Sequence, residues 1–224
     1  MSMELVNVNI GLLGCGTVGA SLCKLIDEQS DAIAERTGLK LAVVMVAVRD
    51  VSQSRDVPLD PSLFTNDSNS VIESPEVDVV VEVIGGIEPS KELILKALEL
   101  GKPVVTANKE LLAAHGGELY SLAKESEVDL LFEAAVAAAI PIMRPLRESL
   151  AGEPITRVMG IVNGTTNFIL TKMTEENMPF KNALEEAQKL GYAESDPTAD
   201  VEGHDAAAKA AIIASFAFGG QVTF

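Results

Sequence analysis

Apolar runs and glycine punctuation set out the first two-thirds of the chain. Val6–Leu13 is a short apolar run ending in glycines and predicts a buried strand; residues 18–29 follow as a helix. Leu39–Val48 predicts a second, valine-rich strand. Residues 50–70 are polar, carry Pro58 and Pro61, and read as an irregular excursion. Val77–Ile84, stopped by Gly85-Gly86, is a third strand, and residues 89–100 form a helix with Pro in the first turn and Gly101 at its end. Residues 104–106 are a fourth strand, 110–125 a helix interrupted at Gly116-Gly117, and 128–132 a fifth strand. Strands alternating with helices, and apolar on both faces, predict an α/β fold: a Rossmann-type doubly wound parallel sheet.

The pattern then changes. Residues 141–151 predict a helix, Gly152-Glu153-Pro154 a break, and 156–162 a strand with a different set of partners. Helices follow near 166–176, 180–190 and 203–218, the last apolar on every side and so expected to be buried all round. These elements place a domain boundary near residue 150, giving a dinucleotide-binding domain over 1–150 and an incomplete α+β domain over 151–224. One strand and three helices do not readily enclose a core, so the second part reads as a piece of a longer protein.

Composition changes this picture little. Of 224 residues, 47% are hydrophobic and only 4% aromatic, with no Trp, so small aliphatic side chains fill the core. A formal charge of −16 disfavours nucleic acid as a partner. Cys15 and Cys23 lie eight residues apart, two helical turns, and are expected to stay reduced. No repeat, signal peptide or apolar run of membrane length is visible, which predicts a cytoplasmic protein.

Candidate chemistry is concentrated in a few polar islands. Gly14-Cys-Gly16-Thr-Val-Gly19 joins the first strand to the first helix, the context a dinucleotide fingerprint requires. Gly14 permits the turn, Gly16 lets the backbone approach a pyrophosphate, and Gly19 allows close helix–strand packing. The second strand ends Val48-Arg49-Asp50; Arg49 suits the 2′-phosphate of NADP, while the adjacent Asp50 leaves NAD open. Thr106-Ala-Asn108-Lys109 ends the fourth strand, on the edge where such sheets bind ligands. Glu133 closes an apolar strand; a helix-terminal charge is the simpler reading and a bound cation the alternative. Asn163-Gly-Thr-Thr-Asn167 is either a plain N-cap or a polar loop facing the cofactor. The densest carboxylate cluster runs from Gly191 through Glu194, Asp196, Asp200 and Glu202 to Asp205, and Asp205 shares a helix face with Lys209 at i, i+4. A lysine on a buried helix is a candidate proton donor. His115 and His204 lack metal-ligand spacing.

Taken in order, GLLGCGTVG, TANKELLA, FEAAVAAAIPI, GIVNGTTNFILTKM and GYAESDPTADVEGHDAAAK resemble homoserine dehydrogenase from about residue 8 to about 219. The last two motifs are specific; the glycine turn alone is not. The resemblance implies reversible reduction of L-aspartate 4-semialdehyde to L-homoserine with NADPH or NADH, in threonine and methionine biosynthesis. It implies Lys209 as proton donor, Lys109 as its assistant at the carbonyl, and Glu194, Asp200 and Asp205 as holders of the substrate. Gly14, Gly16, Thr17, Val18, Gly19, Arg49, Thr106, Lys109 and Gly191 would contact the nucleotide. Glu133 and the carbonyls of Val136, Ala138 and Ile140 would match a sodium site, although the family usually has Gly-Gly where Ala138-Ala139 stands. It further implies a homodimer joined through the substrate domain and about a hundred further residues of catalytic region. A dinucleotide-binding fragment without turnover is the alternative reading; another dehydrogenase of amino-acid semialdehydes fits the spacing of Glu194, Asp205 and Lys209 less well.

Overall fold

The computed structural model describes residues 5–223, and the chain divides into two compact units, residues 1–135 and 136–224. The sequence reading put this division near 150. The difference is residues 136–150, whose π-helical turn Pro145–Ser149 packs against the last helix of the second unit.

The first unit is built on a six-stranded, wholly parallel sheet. Its strands are β1 (Val6–Leu13), β2 (Leu39–Ala47), β3 (Phe64–Thr65), β4 (Val79–Glu82), β5 (Val104–Thr106) and β6 (Leu130–Leu131), in the spatial order 3-2-1-4-5-6. This is the doubly wound Rossmann arrangement, with its order reversing between β1 and β4. Leu12 and Leu13, consecutive and on opposite faces, are both fully buried, so helices cover the sheet on both sides. Ile10, Leu12, Val43, Val46 and Val81 pack with Cys23 and Ile26 of helix α1 (Thr17–Glu28).

Three elements of this unit lie outside the sequence reading. Helix α2 (Ser30–Thr37) buries none of its residues, so it has no apolar stripe to betray it; Gly38, at φ +73°, ends it. Within the supposed excursion, β3 forms the sheet edge. Helix α3 (Ser68–Glu73) starts where the Asp67 carboxylate accepts hydrogen bonds from the N–H groups of Asn69 and Ser70. Val71 of α3 presses against Gly11 so closely that a Cβ there would lie 2.7 Å from its Cγ1. Helix α4 (Ser90–Glu99) matches expectation. Helix α5 (Lys109–Glu125) does not break at Gly116-Gly117, because Leu111 and Leu112 on one side and Leu119 and Ala123 on the other are buried and hold it in one piece.

The second unit contains helices α6 (Gly164–Glu175), α7 (Phe180–Lys189), α8 (Thr198–Val201) and α9 (His204–Ala217). Ile169, Ala183, Ala187 and Ala193 form its small core. The helix expected over 141–151 is reduced to the Pro145–Ser149 turn. Residues 156–162 form no strand, since the described residues of this unit offer none to pair with. Helix α9 buries one face only, Asp205, Ala208, Ala211 and Ile212, rather than its whole circumference.

Candidate functional site

In the first unit the glycine turn is shaped by contacts that admit no side chain at two positions. Gly14 holds φ +96° while its N–H donates to the Ala47 carbonyl at 2.9 Å, and a Cβ there would stand 2.9 Å from the Val83 oxygen. A Cβ on Gly19 would lie 2.4 Å from the Gly14 oxygen. A Cβ on Gly16 would meet nothing within 4 Å, so the backbone there faces open space. No side chain caps α1, and its first turn carries no acidic residue. Thr17 and Val18 are exposed beside it. Uncapped N–H groups, a positive dipole end and an open glycine fit the pyrophosphate of a dinucleotide.

Behind the turn Cys15 packs against the core cluster that contains Cys23. Both are free, as expected, yet helical spacing does not separate them, because Cys15 precedes the helix. Burial pushes the Cys23 thiol up to about 11, the neighbouring Cys15 adding to the effect.

At the end of β2, Arg49 is exposed. The Asp50 carboxylate accepts from the Ser52 N–H at 2.8 Å and the Ser52 hydroxyl at 2.6 Å, which hold it below the usual carboxylate range. Arg55, absent from the sequence reading, donates to the carbonyls of Gln53 (2.8 Å) and Asp50 (3.0 Å), and its guanidinium lies 5.6 Å from the Phe64 ring centre. It lines a cavity of about 260 Å³ with Ser52, Val57 and Phe64. A second arginine in a seven-residue stretch was the signal available.

Further along the same edge, Glu82 ends β4 fully buried. Its Oε1 accepts from the N–H groups of Ile84 (2.8 Å) and Gly85 (3.1 Å) and from the Ser90 hydroxyl (3.1 Å), and its Oε2 from the Thr106 hydroxyl (2.6 Å). Thr106 is therefore buried and its hydroxyl is committed to Glu82 rather than presented to a ligand. Asn108 caps α5 through Leu111 N–H and donates to the Gly86 carbonyl at 2.6 Å. Lys109, half-buried, is the first residue of that helix.

The second unit brings three of the predicted residues together around one that was read only as part of a polar loop. The Asn163 amide donates to Asp200 Oδ1 at 2.7 Å and to Asp205 Oδ2 at 2.9 Å. Its own Oδ1 accepts from Thr166, fixing the start of α6. Lys209 Nζ lies 2.9 Å from Asp205 Oδ2 and donates to the Val162 carbonyl at 2.7 Å. The Asp205 side chain is 4% exposed, so this pair is not a surface salt bridge. Two carboxylates against one ammonium leave the cluster one negative charge in excess, suited to a cationic ligand group. Glu194 is exposed and outside this network; its backbone carbonyl accepts from Gln188. Gly191, at φ +81°, follows α7.

The expected sodium site finds no support. Among the described residues no three His, Cys, Asp or Glu side chains gather to hold a metal. Glu133 opens a 3-10 turn, Val136 is buried, Ile140 is 67% exposed, and Ala138 stands at φ +51°. His115 and His204 lie beside Glu118 and Glu202 respectively. Among the described residues no helix is long and apolar enough to cross a membrane.

Known proteins extend these observations. A family model described as the NAD binding domain of homoserine dehydrogenase matches residues 14–133, and one described as homoserine dehydrogenase matches 141–224. The chain is 56% identical to homoserine dehydrogenase of Corynebacterium glutamicum over 96% of its own length and 48% of that protein's, and 50% identical to the Bacillus subtilis enzyme over 94% and 49%. It thus spans about half the length of the curated relatives it matches. Among solved structures, a Thiobacillus denitrificans homoserine dehydrogenase superposes with a TM-score of 0.87 at 43% identity, over 97% of this chain and 50% of that one. A hyperthermophilic archaeal homoserine dehydrogenase in complex with NADPH gives 0.82 at 33% identity, over 96% and 71%. With its glycine turn and its lysine–carboxylate cluster each inside a matched region, this chain belongs to the homoserine dehydrogenase family.

Proposed function

We propose that the chain carries the coenzyme-binding and proton-donating machinery of an NADP-dependent homoserine dehydrogenase, interconverting L-aspartate 4-semialdehyde and L-homoserine on the route to threonine and methionine. The observation that carries the reading is Lys209, held between the Asp205 carboxylate and the Val162 carbonyl on a largely buried helix face. A bound reduced nicotinamide supplies the hydride to the aldehyde carbon. Gly14, Gly16, Thr17, Val18 and Gly19 hold its pyrophosphate on the uncapped end of α1. Arg49, exposed at the end of β2, takes the 2′-phosphate, which favours NADP over NAD. Lys109 and Gly191 remain assigned to nucleotide contact by resemblance alone.

Lys209 gives its proton to the carbonyl oxygen as the carbon is reduced, and Asp205 steadies the ammonium before transfer. Asp200 and Asp205, joined by Asn163, supply the negative charge that receives the substrate's amino group, with Glu194 adding to it from the adjacent loop. The family resemblance assigns dimerisation to the substrate domain.

The test is the loss of reduced-nicotinamide absorbance when L-aspartate 4-semialdehyde is added to the chain with NADPH. Substrate-dependent oxidation, abolished in Lys209→Ala with NADPH affinity retained, is the expected result. NADPH binding without turnover identifies a coenzyme-binding part that needs the remainder of the enzyme. Loss of NADPH affinity in Lys209→Ala contradicts the proton-donor role.

A further inference from the structure

We propose that Glu82 is a positioning residue for the nicotinamide half of the coenzyme, through the two loops it ties together; the inference rests on the coenzyme reading above. Glu82 ends β4 opposite Leu13 of β1 and Thr106 of β5, at the carboxyl edge beside the point where strand order reverses. In a doubly wound sheet the dinucleotide straddles that point. Its adenosine lies on the β2 side, where Arg49 stands, and its other half lies over β4 and β5.

One carboxylate organises both loops of that second side. Its Oε1 gathers the Ile84 and Gly85 N–H groups and the Ser90 hydroxyl, so the turn after β4 is pinned to the start of α4. Its Oε2 takes the Thr106 hydroxyl, which in turn accepts the Asn108 N–H at 3.0 Å. Asn108 then closes the circuit by donating to Gly86 and by capping the helix that begins with Lys109. Gly85 and Gly86 hold φ +83° and +72°, and a Cβ on either would meet nothing within 4 Å, so the pinned turn presents bare backbone to open space.

Stability alone does not account for the carboxylate. Every contact it makes is with a donor, and no cation pairs with it among the described residues. An apolar side chain of the same volume would leave these four donors unpaired, so the carboxylate contributes through their hydrogen bonds as well as through the geometry they take. Its distinct contribution is the fixed geometry of four donors on two segments.

The experiment compares NADPH with adenosine 2′,5′-bisphosphate, which lacks the nicotinamide half, on the wild-type chain and on Glu82→Gln. The amide keeps the volume and the Oε1 contacts but turns an N–H₂ towards Thr106. Glu82→Gln is expected to weaken NADPH about tenfold while changing the bisphosphate less than about twofold. Should that variant not fold, Thr106→Val removes the same link isosterically and is expected to show the same split, with Thr106→Ser restoring NADPH affinity. Equal weakening of both ligands would make Glu82 a general structural residue and overturn the proposal, as would unchanged NADPH affinity. A wild-type chain that binds the bisphosphate but gains nothing from the nicotinamide half overturns it too. A wild-type chain that binds neither removes the coenzyme reading itself.

Discussion

Ala138 holds a left-handed backbone, φ +51°, that glycine adopts without cost and alanine does not. The side chain therefore carries strain at this position. Ala138→Gly is expected to raise stability by about 1 kcal/mol, read as a shift in the urea midpoint. Cys23 sets a second expectation. Burial raises its thiol from the ordinary 9.0 to about 11, so the folded chain keeps a proton that the unfolded chain releases. Stability is therefore intact below pH 9 and falls as the pH rises towards about 11. Urea titrations across that window should show the decline, and Cys23→Ala should remove most of it. At this scale the sequence was legible where the partners were close in the chain. Asp205 and Lys209 are one helical turn apart, and the glycine turn is a six-residue pattern. Asn163 reaches Asp200 and Asp205 across 37 and 42 residues, and Glu82 reaches Thr106 across 24; only the fold makes those pairs neighbours.

Helix α5 shows how packing overrides local preference. Glycine in a helix interior costs about 1 kcal/mol relative to alanine, and two in a row read as a break, yet the buried residues on either side carry the helix through. A Cβ at Gly116 meets nothing within 4 Å, so Gly116→Ala is expected to gain about 0.5–1 kcal/mol, checked by thermal unfolding. The opposite failure occurs over 156–162. That segment has the composition of a strand, and a strand exists only when something pairs with it. Helix α2 was invisible for a third reason: it buries nothing, so periodicity had nothing to record. Five of the six strands were legible as apolar runs, although β4 and β6 are shorter than those runs, while the two-residue β3 was too short to leave a pattern.

For the molecule as a whole, the alternation of strand and helix announced the parallel sheet, and its 3-2-1-4-5-6 order follows from the fold class that alternation implies. The division into two units was harder to place, because residues 136–150 are uncharged or helix-forming in composition and only their packing assigns them to the second unit. The stretch over 156–162 has a chemical consequence. Met159 is 81% exposed within it, whereas Met143 is 2% exposed. Thioether oxidation follows access to solvent, so in aerated buffer Met159 acquires a sulfoxide well before Met143, adding a polar oxygen to a segment whose side chains are otherwise apolar at Val158 and Ile161. Among the described methionines a preparation of this chain therefore ages chemically from Met159 first, and its mass spectrum dates it.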